Sequence, residues 1–227
     1  GSLYSGKHDD RLLVKLEDMP PVMLAGLVAT EDRYFMDHHG ISLRGIARAM
    51  WTNIAAGGLV QGGSTITQQL VKNFYLNSER TLSRKILEVW MSVLLEAHYS
   101  KREILETYIN EVYFGQEGGR SINGFGLASQ QFFRQPLNEL KLHQMALLIG
   151  LVKGPSYYNP WRNPDRATER RRVVLSTMLD QGIISKAEYD WADAQPLGVG
   201  DSSLSRLGVY PAFLELMRRQ LNTEYKD

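Results

Sequence analysis

The 227-residue chain has no cysteine, so disulfide frameworks and thiolate metal sites are both excluded, while the redox compartment stays unread. Nor does charge of either sign dominate. Twenty-six lysines and arginines face 25 acidic residues, and the net charge of +1 gives no support for a nucleic-acid partner; attraction to phosphate has to be local. Long hydrophobic runs are missing too: Met145 to Val152 falls far short of the roughly 20 residues that span a bilayer. The residues present read as holding no signal peptide, and no internal repeat, heptad array or low-complexity tract is expected among them. Gly1-Ser2 reads as a cloning scar, and a polar C-terminal helix is expected. We therefore expect residues 1–11 to be scar and linker of an excised fragment whose membrane anchor was removed.

Four polar clusters interrupt sequence that is 43% hydrophobic and otherwise helical in pattern. The first runs from Glu31 to Gly40 and gathers carboxylates, an aromatic, histidines and a closing glycine at the end of an apolar helix. Glu31 and Asp32 point about 100° apart on a helix and cannot serve one substrate atom together. A working partner for Glu31 has to come from elsewhere in the chain.

Prolines 20 and 21 predict a helix from Val22. Ser42 to Ala56 carries Ile46, Met50, Trp51 and Ile54 on one face, which fits core packing or a lipid-facing patch equally. Gly57 to Thr65 is a glycine-rich loop feeding a helix capped by Ser64 or Thr65, a junction able to hold an anion but a weak signal alone. On the next helix Thr65, Gln68 or Gln69, and Lys72 share a face opposite Ile66, Leu70 and Phe74. A helix from about Arg80 to His98 places Glu88 between a cationic half and an apolar half, Val89 to Leu95, expected to be buried. The plain reading of Glu88 is a surface pair with Arg84.

Further helices are expected from Ser100 to Phe114, Gly126 to Phe133, Leu140 to Val152, Asp165 to Gln181, Ser185 to Ala194 and Pro211 to Tyr225. Gly115 to Gly124 reads as a loop, and 197–210 as irregular or extended. The loop from Lys153 to Trp161 is rich in aromatics, which line a groove or pack locally. Arg166, Arg170, Arg171 and Arg172 read as a solvated face.

Taken together the clusters resemble the motifs of the peptidoglycan glycosyltransferase family, the module shared by class A penicillin-binding proteins and monofunctional transglycosylases. Glu31 to Gly40 is similar to the first motif, Gln61 to Asn73 to the second, Arg80 to Glu88 to the third and Lys101 to Asn110 to the fourth. Arg170 to Leu175 resembles a weaker fifth. The likeness covers about Leu12 to Leu197 and is strongest to the Gram-negative 1b type.

The resemblance implies an all-α fold, a lysozyme-like helical head over 12–197 with a small membrane-facing lobe at about 42–63. Residues 198–227 would be a linker and helix toward a transpeptidase domain. It further implies polymerisation of lipid II into β-1,4 glycan strands, with inversion and release of undecaprenyl pyrophosphate, on the periplasmic face of the bacterial inner membrane. Glu31 would be the general base and Glu88 the second essential carboxylate, orienting cations and donor sugar. Lys72, Arg84 and Lys85 would meet the pyrophosphate, and Ser64, Thr65, Gln69 and Asn73 sugar or phosphate, while Asp32, Phe35 and His38 shape the wall near Glu31.

Other implied partners are the nascent strand, the membrane through the lobe and an absent transmembrane helix, moenomycin as inhibitor, and proteins of cell-wall synthesis. A magnesium-type divalent cation bridging the pyrophosphate fits this chemistry, although the sequence holds no dedicated cage and no metal ligand is assigned. A lytic glycosidase on the same fold would have no use for a pyrophosphate cradle, and a non-catalytic binding module no use for four complete motifs.

Overall fold

The computed structural model describes residues 12–55, 57–58, 62–75, 81–117 and 120–200. Arg80, Gln61 and the expected helix from Pro211 lie outside them. Nine α-helices are formed among the described residues: α1 Pro21–Glu31, α2 Leu43–Ala55, α3 Ile66–Tyr75, α4 Leu82–His98, α5 Lys101–Glu111, α6 Phe125–Phe133, α7 Leu142–Leu151, α8 Pro164–Asp180 and α9 Lys186–Ala194. Their boundaries follow local chemistry. Pro21 and Pro164 open α1 and α8, where a missing N–H costs nothing. Reciprocal side-chain and backbone bonds open α5 (Ser100 with Glu103) and α9 (Ser185 with Glu188). The same device opens α3: Gln68 N donates to Thr65 Oγ1 at 3.1 Å, and Thr65 N to Gln68 Oε1 at 3.0 Å.

The apolar helix α7 is buried from His143 to Leu151 and packs on α8, α1, α9 and α6. A second group is formed by α3 against α4 and α5. Glu31 ends α1, at the point where the chain passes from the first group toward the second. Gly40, at φ +86°, lies so close to α4 that a Cβ there would stand 2.7 Å from the Ser92 carbonyl. Its own carbonyl accepts from Thr65 Oγ1 at 2.7 Å, so the first motif is fastened to both helices.

Three expectations change. The helix predicted to Phe114 stops at Glu111, and the stretch read as a loop holds a small antiparallel pair, β1 Tyr113–Glu117 and β2 Arg120–Asn123, with Tyr113 opposite Asn123. Gly124, at φ +79°, abuts the Asn110 carbonyl and turns the chain, which lets Phe114 bury edge-on against Phe125 at 4.9 Å. The arginine run is not a solvated face throughout. Arg171 is 1% exposed and donates to the carbonyls of Asp193 and Pro196, both at 3.0 Å, while the Arg170 side chain, 10% exposed, turns to the cleft side.

The third change concerns α4. Its apolar half is not buried: Trp90 is 62% exposed, and Val93 and Leu94 also face outward. The line turned inward is Glu88, Ser92 and the side chain of Glu96, spaced by four residues. A helix that buries its polar row and presents its apolar rows is inverted relative to a water-facing one. With Leu43, Met50, Trp51 and Ile54 of α2 also exposed, α2 and α4 both present apolar side chains outward. No described helix is long and apolar enough to cross a membrane.

Candidate active site

A cleft of about 660 Å³ opens between α3 and α8 at the end of α1. Glu31 lies on it with its side chain 10% exposed. Gln69 Nε2 donates to Glu31 Oε2 at 3.0 Å, and Arg170 Nη2 stands 3.5 Å from Glu31 Oε1. Arg170 is steered there by α7: Gly150 has no side chain, so the arginine stem lies against it, and Nε donates to the Gly150 carbonyl at 3.3 Å. Lys153, just past α7, and Lys72 of α3 complete the cationic lining.

Burial pushes the Glu31 carboxyl above its ordinary range, and the Asp32 charge adds to this; Arg170, the Gln69 amide and Lys153 pull the other way. Burial and Arg170 lower Lys153, with Glu31 opposing them. The result is a carboxylate held against its solvation preference by specific donors. Such a group suits proton abstraction.

A second cavity, about 740 Å³, adjoins the cleft and is lined by apolar side chains of α2, among them Ile46, Met50 and Ile54, with Val89 of α4. Ser64 lines both cavities. Lys85 Nζ donates to Ser64 Oγ at 3.1 Å and is ion-paired with Glu88, whose side chain is 3% exposed. The surface pair expected for Glu88 is thus replaced by a buried carboxylate gripping Lys85 at the junction of the cavities. Arg84 is half-buried one turn earlier on α4.

The remaining predicted residues lie behind this surface or beside it. Asp32 Oδ2 accepts from Ile66 N at 3.0 Å and pairs with His38 Nε2 at 2.9 Å. The N-terminus of α3, read from the sequence as an anion-binding junction, is therefore occupied by the protein's own carboxylate and by the Thr65 cap. Phe35 is fully buried, with Lys101 Nζ 4.4 Å from its ring centroid. Asn73 is exposed on α3 and lines neither cavity. So the structure brings Glu31, Ser64, Gln69 and Lys72 to one cleft, attaches Lys85 and Glu88 through Ser64, and uses Asp32, Phe35, His38 and Thr65 as buried support.

Sequence reading missed Lys153, and it placed Arg170 on a solvated face or in the weak fifth motif. A lone lysine ending a wholly apolar helix was a usable signal for the first. Tyr158, in the aromatic loop, does line the cleft.

With this geometry in view, comparison with known proteins is decisive. The transglycosylase family model matches residues 2–179, more than half of the chain. The chain belongs to that family. It is 48% identical over 97% of its length to penicillin-binding protein 1B of Haemophilus influenzae and 49% identical over 99% to that of Escherichia coli. Against penicillin-binding protein 1A of Escherichia coli the identity is 40% over 96% of the chain. The resemblance to the 1b-type glycosyltransferase module is borne out.

The chain spans 28% and 26% of those two 1B relatives, about a quarter of their length. Among solved structures, the 2.6 Å crystal structure of penicillin-binding protein 1A from Haemophilus influenzae matches with TM-score 0.52 and 26% identity, covering 96% of this chain and 22% of that one. The helical transglycosylase fold implied by the motifs is confirmed; it was expected to be all-α, and the small two-stranded sheet makes it mostly helical.

Proposed function

We propose that this transglycosylase module polymerises lipid II, transferring the growing glycan to the 4-hydroxyl of the acceptor N-acetylglucosamine with inversion. The carrying observation is the Glu31 carboxylate, raised above its ordinary range on a cleft walled by Lys72, Lys153 and Arg170. The acceptor oxygen attacks the donor anomeric carbon while Glu31 takes its proton. The bond from that carbon to the pyrophosphate oxygen breaks, and the electron pair leaves on the pyrophosphate. Preorganised cations at the leaving group stabilise that charge.

In this reading Lys72 and Lys85 meet the pyrophosphate, with Arg84 on the same helix, and Glu88 holds Lys85 in place through their ion pair. Ser64 and Gln69 offer hydrogen bonds at the cleft, and the phosphoglycerate head of moenomycin competes for the same cations. Among the described residues no three His, Asp or Glu side chains gather as a metal site, and Glu31 and Glu88 each face a protein cation. The residues do not fit a resident metal, so no step runs through one; a magnesium-type ion would travel on the substrate's pyrophosphate.

The polyprenyl tail of the substrate lies along the apolar cavity, and the exposed faces of α2 and α4 rest in the membrane on its periplasmic side. This reading accounts for the inverted α4, because lipid is the solvent in which an apolar outer face costs nothing. The test is conversion of labelled lipid II to polymer in detergent, beside Glu31→Gln of matched circular dichroism. Polymer from the parent alone supports the reading. Equal polymer from both removes Glu31 as base.

A further inference from the structure

Tyr108, on α5, is fully buried. Its hydroxyl donates to Gln69 Oε1 at 2.8 Å, and Gln69 Nε2 in turn donates to Glu31 Oε2 at 3.0 Å. Three side chains from three helices thus form one directed chain. An amide has a donor end and an acceptor end of nearly equal shape, so something besides size has to decide which faces the carboxylate. With the phenol proton committed to Oε1, the amide N–H groups are left for Glu31.

We infer that Tyr108 is a positioning residue for the proposed reaction, which locks the Gln69 amide with its donor end on Glu31 and so favours the ionised form of that carboxylate. The inference rests on Glu31 being the base. Tyr108 is linked to Glu31 through Gln69, by two hydrogen bonds in series. Its phenol stays protonated throughout the working pH range, because burial and the charges of Glu31 and Asp32 push its ionisation well above the ordinary value. A tyrosine that never ionises can always donate. Ring packing alone would be met by phenylalanine, and it is the hydroxyl that the lock requires.

The mechanism gives a sign. Without the hydroxyl the amide is released to turn, and a carbonyl oxygen facing Glu31 favours the protonated acid, which can donate to it. Loss of the lock therefore raises the Glu31 ionisation and moves the acidic limb of kcat/KM to higher pH. One hydrogen bond of ordinary net strength corresponds to a displacement of about one pH unit, up to about tenfold lower kcat/KM on the acid side. Above the limb the rate recovers toward the parent.

The experiment pairs two readouts on Tyr108→Phe: the pH profile of lipid II polymerisation, and the titration of the Glu31 carboxyl by NMR of glutamate-labelled protein, assigned with Glu31→Gln. An upward shift of both supports the inference. A shifted titration with an unmoved rate limb keeps the lock but overturns Glu31 as base, so the two failures are distinct. An unmoved titration in folded Tyr108→Phe overturns the lock, whatever the rate does. Gln69→Leu, which removes the middle of the chain, provides the second arm: its titration shifts upward too, and Tyr108→Phe added to it produces no further shift. A titration unmoved by Gln69→Leu likewise overturns the inference.

Discussion

Asp32 Oδ2 accepts a hydrogen bond from the backbone nitrogen of Ile66 at 3.0 Å, so a carboxylate of the first polar cluster closes the start of the helix that carries Gln69 and Lys72. The same oxygen pairs with His38 Nε2 at 2.9 Å. Asp32→Ala would leave a helix N–H and a buried imidazole without their acceptor. We expect a loss of about 3 kcal/mol, the cost of breaking a buried charged network. In a domain of this size that lowers Tm by about 6–12 °C. Asp32→Asn retains one acceptor oxygen and falls between parent and alanine variant in a urea melt.

Glu31 carries a stability cost that its chemistry explains. Its carboxyl is raised in the folded state, chiefly by burial, so the unfolded chain ionises at lower pH than the native one. Below the unfolded value the native state bears no penalty; as pH rises through the folded value, stability is lost. Glu31→Gln removes that ionisation. The variant should melt above the parent at neutral pH, and the gain should vanish below about pH 4, where the carboxyl is protonated in the folded and unfolded chain alike. Melting curves from pH 4 to 8 check this, and a gain independent of pH would contradict it.

How far the site could be read from the sequence follows from where its information lies. Ser100 with Glu103, and Thr65 with Gln68, are chemistry within four residues, so the helix starts were legible. The Tyr108–Gln69–Glu31 chain joins residues 39 and 38 positions apart, and no local pattern marks Tyr108 as different from the core residues beside it. Arg171 looked solvated because its run is cationic; only the fold reveals the carbonyls of Asp193 and Pro196 that satisfy it. The α4 error has another origin. Periodicity locates an apolar face but does not say whether protein or lipid covers it.

Glu96 and Lys101 form a pair at 2.7 Å behind the site, with the Glu96 side chain 2% exposed. Thr67 Oγ1 also donates to Glu96, and His38 Nδ1 lies 3.8 Å away. Removing one partner strands a buried charge. Glu96→Leu should destabilise by about 3–5 kcal/mol, whereas adding Lys101→Met should recover part of that loss, since an apolar pair of similar volume avoids the desolvation cost. A double-mutant cycle by chemical denaturation measures the coupling, and strictly additive losses would show that the two charges act independently.

The inverted α4 makes the last prediction. Trp90 and Leu94 are separated by four residues on its outer face, both exposed, with no place in the core. Trp90→Glu and Leu94→Glu should change stability in solution by no more than about 0.5 kcal/mol, as surface substitutions do. On vesicles of anionic and zwitterionic lipid the same changes place a charge where hydrocarbon contact is proposed, and each should weaken binding about tenfold or more through lost apolar burial and charge desolvation. Sedimentation with vesicles separates the two alternatives. Undiminished binding by the double variant would take α4 out of the membrane and leave the exposed side chains of α2 as the contact.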